Sequence, residues 1–251
     1  MSQFYNPRRV RNLYKPGSEK SYKISRSKID LFVECPRCFY VDRRLGTGRP
    51  PGFPFNLNNA VDRLLKSEFD QHRAAGTAHP LQQAYGLDAR PVAHDELNAW
   101  RENFKGVQYL HEPTNLIITG AIDDLWIDAG GAYIVVDYKA TAKSAPVTAL
   151  DQEWQSGYKR QMDVYQWLLR KNGLKVSDTG YFVYCTGRPD AAAFDAKIDF
   201  DVHLIPYKGD DDWVDATIRD LHACLMRDEV PEADADCDYC AYIDAVNTVT
   251  S

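Results

Sequence analysis

The chain has 251 residues, of which 44% are hydrophobic and 26% are charged, proportions typical of an ordinary globular protein. No apolar run approaches the roughly 18 residues that span a bilayer, and the N-terminus has no apolar segment of the signal-peptide kind. We therefore expect a cytoplasmic protein without a membrane partner.

The net charge of −6 is unevenly distributed along the chain. Residues 1–50 contain 12 Lys and Arg against 4 Asp and Glu, whereas the remainder contains 18 against 32. A basic segment attached to an acidic body can still bind phosphate groups. Because residues 1–24 show little periodicity, they are predicted to form a flexible basic arm; a solubilising tail is the alternative.

The first half of the chain shows helical patterns separated by a loop. Ser25 or Ser27 can cap a short helix that leads to the sequence Cys35-Pro36-Arg37-Cys38. Residues 46–54 are rich in Gly and Pro and predict a loop. Apolar residues then recur at helical spacing, which predicts helices over residues 58–72 and 96–104.

Residues 117–139 contain two segments rich in Ile, Val, Tyr and Trp around a turn that begins at Asp128, and this pattern predicts a β-hairpin. If Asp128 pairs with Ala132, then Asp123 lies directly opposite Asp137, with Cβ atoms about 4.5–5.5 Å apart. Like charges placed opposite each other need a compensating cation, and Mg²⁺ takes one or two protein carboxylates.

Side chains of a strand alternate between the faces of a sheet, so Lys139 shares a face with Asp137 while Asp124 points to the other face. Three charged groups then converge on one patch. The alternative is an edge hairpin whose charges face water.

The second half of the chain predicts a long helix over residues 154–172 and strands over residues 181–185 and 197–207. An acidic run at residues 210–212 opens a further amphipathic helix, where it suits the positive end of the helix dipole. The order hairpin, helix, strand favours a mixed α/β sheet with a crossover connection.

Six cysteines are present, and four of them form two CxxC pairs: Cys35, Cys38, Cys237 and Cys240. In an intracellular protein such pairs indicate a metal centre rather than disulfides. Four thiolates can hold either tetrahedral Zn²⁺ or a 4Fe-4S cluster, and ligand number does not separate the two. Cys185 and Cys224 are expected to be small buried hydrophobic residues.

Three short motifs follow one another in the chain: Gly120-Ala121-Ile122-Asp123, Asp137-Tyr138-Lys139 and Gln161-Met162-Asp163-Val164-Tyr165. They resemble the GxxD, DxK and QxxxY motifs of PD-(D/E)XK nucleases, and they lie on the expected strand, strand and helix. The group that is most similar is the RecB-like nucleases, which include iron–sulfur exonucleases associated with CRISPR systems.

The resemblance covers roughly residues 25–242 and implies a three-layer, restriction-endonuclease-like α/β core with a mixed central sheet. It also implies a single nuclease-like domain over residues 25–251. Within it, residues 25–50 and 226–242 would form a Cys₄ subregion that joins the N- and C-terminal parts.

By this resemblance, Asp123 and Asp137 would bind Mg²⁺ or Mn²⁺, with the Tyr138 carbonyl as a further ligand. Lys139 would orient or help deprotonate the attacking water and stabilise the transition state. Gln161 and Tyr165 are one helical turn apart and would hold the DNA backbone or support the ligands; for Tyr165 a plain core position is the alternative.

Two features depart from the family pattern. The family often places a histidine on the helix before the hairpin, and the position that aligns with it here is Asp62, which could ligate the same cation or face solvent. Related iron–sulfur nucleases usually have one cysteine before the core and three after it, whereas this chain has two and two. The resemblance favours a 4Fe-4S cluster, with structural Zn²⁺ as the alternative.

The predicted function is a metal-dependent deoxyribonuclease that hydrolyses DNA phosphodiester bonds with a metal-activated water. Its substrate would be DNA with a single-stranded portion, and its process DNA repair, recombination or defence. The rival interpretation is a non-cleaving nucleic-acid-binding or scaffolding protein on the same fold. The presence of Asp123, Asp137 and Lys139 together argues against that rival.

Overall fold

The computed structural model describes residues 6–52 and 56–250. The α-helices of these residues are α1 (Arg26–Glu34), α2 (Pro36–Tyr40), α3 (Asn56–Ala75), α4 (Pro80–Ala84), α5 (Leu97–Trp100), α6 (Ser156–Lys171), α7 (Asp212–Met226) and α8 (Asp238–Thr250). The strands are β1 (Tyr22–Ser25), β2 (Ala89–Pro91), β3 (Val107–His111), β4 (Leu116–Gly120), β5 (Asp124–Asp128), β6 (Tyr133–Ala142), β7 (Thr179–Gly187) and β8 (Phe200–Lys208). Within the part of the chain that the structure describes, no helix is long and apolar enough to cross a membrane.

The described residues fall into two compact units. The first unit draws on Met1–Phe53, Leu110–Ile118 and Asp212–Ser251, and it contains β1, α1, α2, α7 and α8. The second unit draws on Pro54–Tyr109 and Thr119–Asp211, and it contains α3 to α6 and a five-stranded sheet.

In the first unit, residues 6–21 of the predicted arm contain no helix or strand, whereas residues 22–24 of the arm belong to β1. Tyr14 is nevertheless buried, and its phenol lies 3.0 Å from Nε2 of His222 on α7. Residues 1–5 of the arm, like residues 53–54 of the predicted loop, lie outside the described residues. The flexibility of the arm stays a prediction.

The five-stranded sheet of the second unit has the order β2-β5-β6-β7-β8. β5 and β6 pair antiparallel with Asp124 opposite Val136, and the Asp128 amide donates to the Ala132 carbonyl at 3.0 Å. The hairpin and its register are therefore as predicted for residues 124–127, whereas Asp123, predicted to pair with Asp137, precedes the paired strand. β6 and β7 are parallel and are connected through α6, which is the expected crossover.

The first strand of the hairpin is shorter than predicted. Leu116–Gly120 forms β4 in a separate three-stranded sheet with the order β1-β4-β3, and β5 begins only at Asp124. Between them the Ile122 amide donates to the Trp100 carbonyl at 3.1 Å, so the chain bonds outside the hairpin at this point. The hairpin is also not at an edge, because β6 is the central strand.

The second unit has three layers around its sheet. Ile134, Val136 and Tyr138 on one face of β6 join a buried cluster with Leu65 and Phe69 of α3. Residues Asp137 and Lys139 alternate with these and contact Gln161 of α6. The mixed α/β core with helices on both faces confirms the predicted fold class.

Candidate active site

Asp137 lies on the central strand β6 and its carboxylate is fully buried. The Gln161 amide donates to its Oδ1 at 2.6 Å, and the Lys139 ammonium forms an ion pair with its Oδ2. Lys139 also donates to Oε1 of Gln161 at 3.1 Å and lies 4.5 Å from the centre of the Tyr158 ring. A buried carboxylate thus fixes the position of a lysine ammonium, and the interpretation of a carboxylate that faces water is wrong for Asp137.

Gln161 connects these two residues to Tyr165, one turn further along α6. Its Nε2 lies 2.9 Å from the Tyr165 phenol oxygen, to which it donates. The Tyr165 ring packs directly on Gly120, where an added Cβ would lie 2.7 Å from a ring carbon. Gly120 is therefore needed because β4 approaches the tyrosine ring closely. This contact joins two of the sequence motifs, and the hydrogen bond of Gln161 to Asp137 adds the third.

A second group of charges is centred on Lys66 of α3. Its ammonium donates to Oδ2 of Asp62 at 2.9 Å and to Oδ1 of Asp123 at 3.1 Å. Burial and the neighbouring charge of Asp123 raise the pKa of Asp62, although Lys66 opposes this shift. Burial lowers the pKa of Lys66, but the charges of Asp123 and Asp62 outweigh it, so that pKa is raised. The two carboxylates repel each other and share one protein cation.

Tyr138 joins the two groups through its backbone. Its amide donates to Oδ2 of Asp123 at 2.9 Å, while its neighbours in the chain are Asp137 and Lys139. The Tyr138 phenol points to the opposite face and donates to Asp124 at 2.7 Å. Burial and the charge of Asp124 raise the pKa of this phenol well above its usual value.

Asp124 is fully buried on the face opposite to Asp137, as the strand alternation predicts. Its Oδ1 accepts from Arg101 at 2.8 Å and also from Arg73. Arg101 donates in addition to the Asp123 carbonyl at 2.9 Å. The ion pairs of Asp124 with Arg101 and Arg73 therefore help to fix the backbone at Asp123.

The four CxxC cysteines come together in the first unit. Among residues 6–52 and 56–250 they are the one group of three or more Asp, Glu, His or Cys residues whose ligand atoms all lie within 4.8 Å of one another. Burial raises the pKa of Cys237, but hydrogen bonds from the Cys240 amide and the neighbouring thiols outweigh it and lower that pKa to about 7. Burial and the same thiols raise the pKa of Cys240, so proton loss is shared unequally within the cluster.

The other two cysteines behave as predicted. Cys185 and Cys224 are buried, and burial raises the pKa of each thiol to about 11. Both are therefore packing residues, and they leave the cysteine cluster with four members.

Comparison with known families decides the identity of the chain. A model of the PD-(D/E)XK nuclease superfamily matches residues 55–245, which is more than half of the sequence. The chain belongs to this superfamily. Membership implies a nuclease that cleaves phosphodiester bonds and confirms the family predicted from the three motifs.

One solved structure that is similar to this chain is distant from it in sequence. The crystal structure of SSO0001 covers 92% of this chain and 87% of its own, with 15% sequence identity and a TM-score of 0.38. A comparison with curated proteins finds no match.

The candidate active site offers a donor set suited to a hard divalent cation. Asp62, Asp123 and Asp137 present carboxylate oxygens, which are the ligands that Mg²⁺ and Mn²⁺ prefer. Burial, and after it the charge of Asp123, raises the pKa of Asp62, and a bound cation would favour the charged form of this carboxylate. In this structure Lys66 and Lys139 compensate the charge, in two groups that are bridged by the Tyr138 amide. The residues therefore fit the cation by chemistry.

Two contributors to the site were missed from the sequence, Lys66 and Tyr158. A signal for Lys66 exists, because it follows Asp62 at the helical i,i+4 spacing. Tyr158 lies on α6 one turn before Gln161, with its ring under the Lys139 ammonium. No short motif marks that position.

Proposed function

We propose that this protein is a divalent-metal-dependent deoxyribonuclease of the RecB-like type that hydrolyses DNA phosphodiester bonds. The observation that supports this most is the buried Asp137, which fixes Lys139 both directly and through Gln161. The name of the superfamily refers to a motif with acidic residues and a lysine. In this chain the matching side chains of Asp137 and Lys139 are in contact.

The metal would be held by Asp123, Asp137 and the Tyr138 carbonyl, with Asp62 as a further ligand. A bound Mg²⁺ or Mn²⁺ lowers the pKa of a water molecule and neutralises charge on the scissile phosphate. Lys66 already neutralises Asp62 and Asp123 within the protein, so it competes with a divalent cation for the same oxygens.

Lys139 would donate to the phosphate oxygen on which charge develops. A fixed ammonium stabilises such charge more strongly than a mobile one, because it needs no reorganisation during the reaction. Three groups restrict its position: the Asp137 carboxylate, the Gln161 amide oxygen and the Tyr158 ring. Gln161 and Tyr165 are then positioning residues, and their hydrogen bond supports this role.

The substrate we propose is DNA with a single-stranded portion, processed from an end in repair, recombination or defence. The excess of Lys and Arg over residues 1–50 supports binding to a phosphate backbone. Four clustered cysteines that form no disulfide support the cytoplasmic location, because a reducing compartment keeps thiols reduced.

The test is cleavage of end-labelled linear DNA and of circular single-stranded DNA, with and without Mg²⁺. Wild type should degrade the linear DNA only when Mg²⁺ is present. Asp137→Asn should reduce the rate at least about 100-fold, the loss typical when one preorganised electrostatic group is removed. Folding of the variant is checked by its circular dichroism spectrum.

The matched control is Asp190→Asn, which removes an exposed carboxylate that pairs with Arg188. It should cleave like wild type. Full activity of Asp137→Asn, or equal cleavage without any divalent cation, would contradict the proposed enzyme. Cleavage of the circular substrate would contradict processing from an end.

A further inference from the structure

The four clustered cysteines come from two short segments that have the same local arrangement. Cys35 immediately precedes α2, with Cys38 in its first turn, and Cys237 immediately precedes α8, with Cys240 in its first turn. In each pair the backbone amide of the second cysteine donates to the sulfur of the first, at 3.5 Å in the N-terminal pair. Each CxxC turn thus presents its sulfurs in the same way.

Three of the six sulfur–sulfur distances lie between 3.6 and 3.8 Å, and all six are within 4.8 Å. Cys35 lies 3.8 Å from Cys240, while Cys38 lies 3.6 Å from Cys237 and 3.7 Å from Cys240. One tetrahedral ion with metal–sulfur bonds of about 2.3 Å requires edges of about 3.8 Å between its four sulfurs. The observed distances match that requirement.

A 4Fe-4S cluster, which the family resemblance implies, requires a larger cage. Each thiolate binds a different iron of the cluster, so neighbouring cysteine sulfurs are on the order of 6 Å apart. All four sulfurs here lie within 4.8 Å of one another. The residues therefore do not fit the four-iron cluster.

We infer that the cysteine cluster is a single-ion site, and that its ion is Zn²⁺. Four thiolates around one divalent ion leave two negative charges, which need compensation in a largely buried place. Arg49 supplies a cation, since its guanidinium donates to the Cys237 sulfur at 3.5 Å. It is itself held by Glu34 at 2.7 Å and lies 4.6 Å from the centre of the Tyr239 ring.

The ion has a structural task in the first unit. It connects Cys38 to Cys237, which are separated by 199 positions in the sequence. Closing so long a loop lowers the entropy of the unfolded chain, so the ion stabilises the fold that contains it. This inference does not depend on the proposed nuclease reaction, because its readouts are metal content and stability.

The experiment is metal analysis of full-length protein purified without oxygen from cells grown with added iron. We expect one zinc per chain, little iron or acid-labile sulfide, and no broad absorbance at about 400 nm. Exchange with Co²⁺ should give the visible bands of a tetrahedral thiolate site. Cys237→Ser should lose most of the zinc and unfold at a lower temperature.

The matched control is Cys224→Ala, which removes a buried cysteine of α7 outside the cluster. It should keep one zinc per chain. Iron and sulfide at four each per chain would overturn the inference, as would a single iron or the absence of any bound metal. If Cys237→Ser does not fold, the Co²⁺ spectrum and the metal content of wild type still decide between the two centres.

Discussion

The cysteine cluster and the carboxylate site are both candidate metal sites, and they are built in opposite ways. Three of the sulfur–sulfur distances in the cysteine cluster are 3.6 to 3.8 Å, and two CxxC turns supply all four sulfurs. The carboxylates of Asp62, Asp123 and Asp137 come from α3, from the approach to β5 and from β6, and each contacts a protein lysine.

The two sites therefore depend to different degrees on the elements that surround them. Residues three apart in a turn are brought together by local chain geometry, so each CxxC pair is positioned locally and only the approach of the two turns depends on the fold. The carboxylate site instead requires a helix, a correct strand register and a compensating ion pair for each acid. Its geometry should therefore respond to changes in the layers around it, which three substitutions test.

The largest effect is expected for Asp124→Asn, which removes the buried charge beneath the carboxylate site. Two arginines would lose their buried partner, and the free energy of unfolding should fall by about 3–5 kcal/mol. Urea denaturation measures this loss. Asp70→Asn, a half-exposed carboxylate that also pairs with Arg101, is the control and should cost about 1 kcal/mol or less. Equal losses in the two variants would mean that burial of Asp124 has no special importance.

An intermediate effect is expected for Gly120→Ala. The new methyl group would overlap the Tyr165 ring and displace it, which should cost about 1–3 kcal/mol of stability. The displaced ring should also disturb Gln161 and slow DNA cleavage. Tyr165→Leu should make the two substitutions non-additive in a double-mutant cycle, because it provides space for the methyl group.

Gly52→Ala is the control for this experiment, since an added Cβ there meets no atom of the described residues within 4 Å. It should leave both stability and cleavage unchanged. Strict additivity of Gly120→Ala and Tyr165→Leu would show that the close contact does not hold in solution.

The smallest effect is expected for Lys66→Met, which leaves Asp62 and Asp123 without their shared cation. The pKa of Asp62 is already raised by burial and by Asp123, and it should rise further. A raised carboxyl pKa gives stability that is full below about pH 4 and is lost as the pH rises through the folded-state value. The variant should therefore lose more stability than wild type as the pH rises above about 4.

Added Mg²⁺ should raise the melting temperature of Lys66→Met more than that of wild type, because the lysine no longer competes for the oxygens. Lys105→Met removes an exposed lysine paired with Glu102 and should respond to Mg²⁺ like wild type. An identical Mg²⁺ response in all three proteins would place the cation away from Asp62 and Asp123.

Much of the carboxylate site's framework could be predicted because it follows from short-range rules. The turn after Asp128 determines the register of β5 and β6, and strand alternation then separates Asp124 from Asp137. The helical spacing of Gln161 and Tyr165 likewise predicts that both lie on one face of α6.

Other features depend on contacts that a sequence pattern does not contain. The break between β4 and β5 contains the Ile122–Trp100 hydrogen bond, which joins distant residues. Tyr158 is placed under Lys139 by the packing of α6 on the sheet. The spacing of the four cysteine sulfurs is likewise a property of the folded structure. The number of thiolates alone therefore did not distinguish zinc from an iron–sulfur cluster.

Tyr138 occupies the variable middle position of the Asp137-Tyr138-Lys139 motif. The family motif accepts any residue at this middle position. In this protein, however, the Tyr138 amide donates to Asp123, and the Tyr138 phenol donates to Asp124 on the other side of the sheet. Tyr138 therefore has two separate contacts: its backbone bonds to Asp123 of the candidate site, and its ring bonds to the buried Asp124. A variable letter in a pattern can therefore be among the most constrained positions of an individual protein.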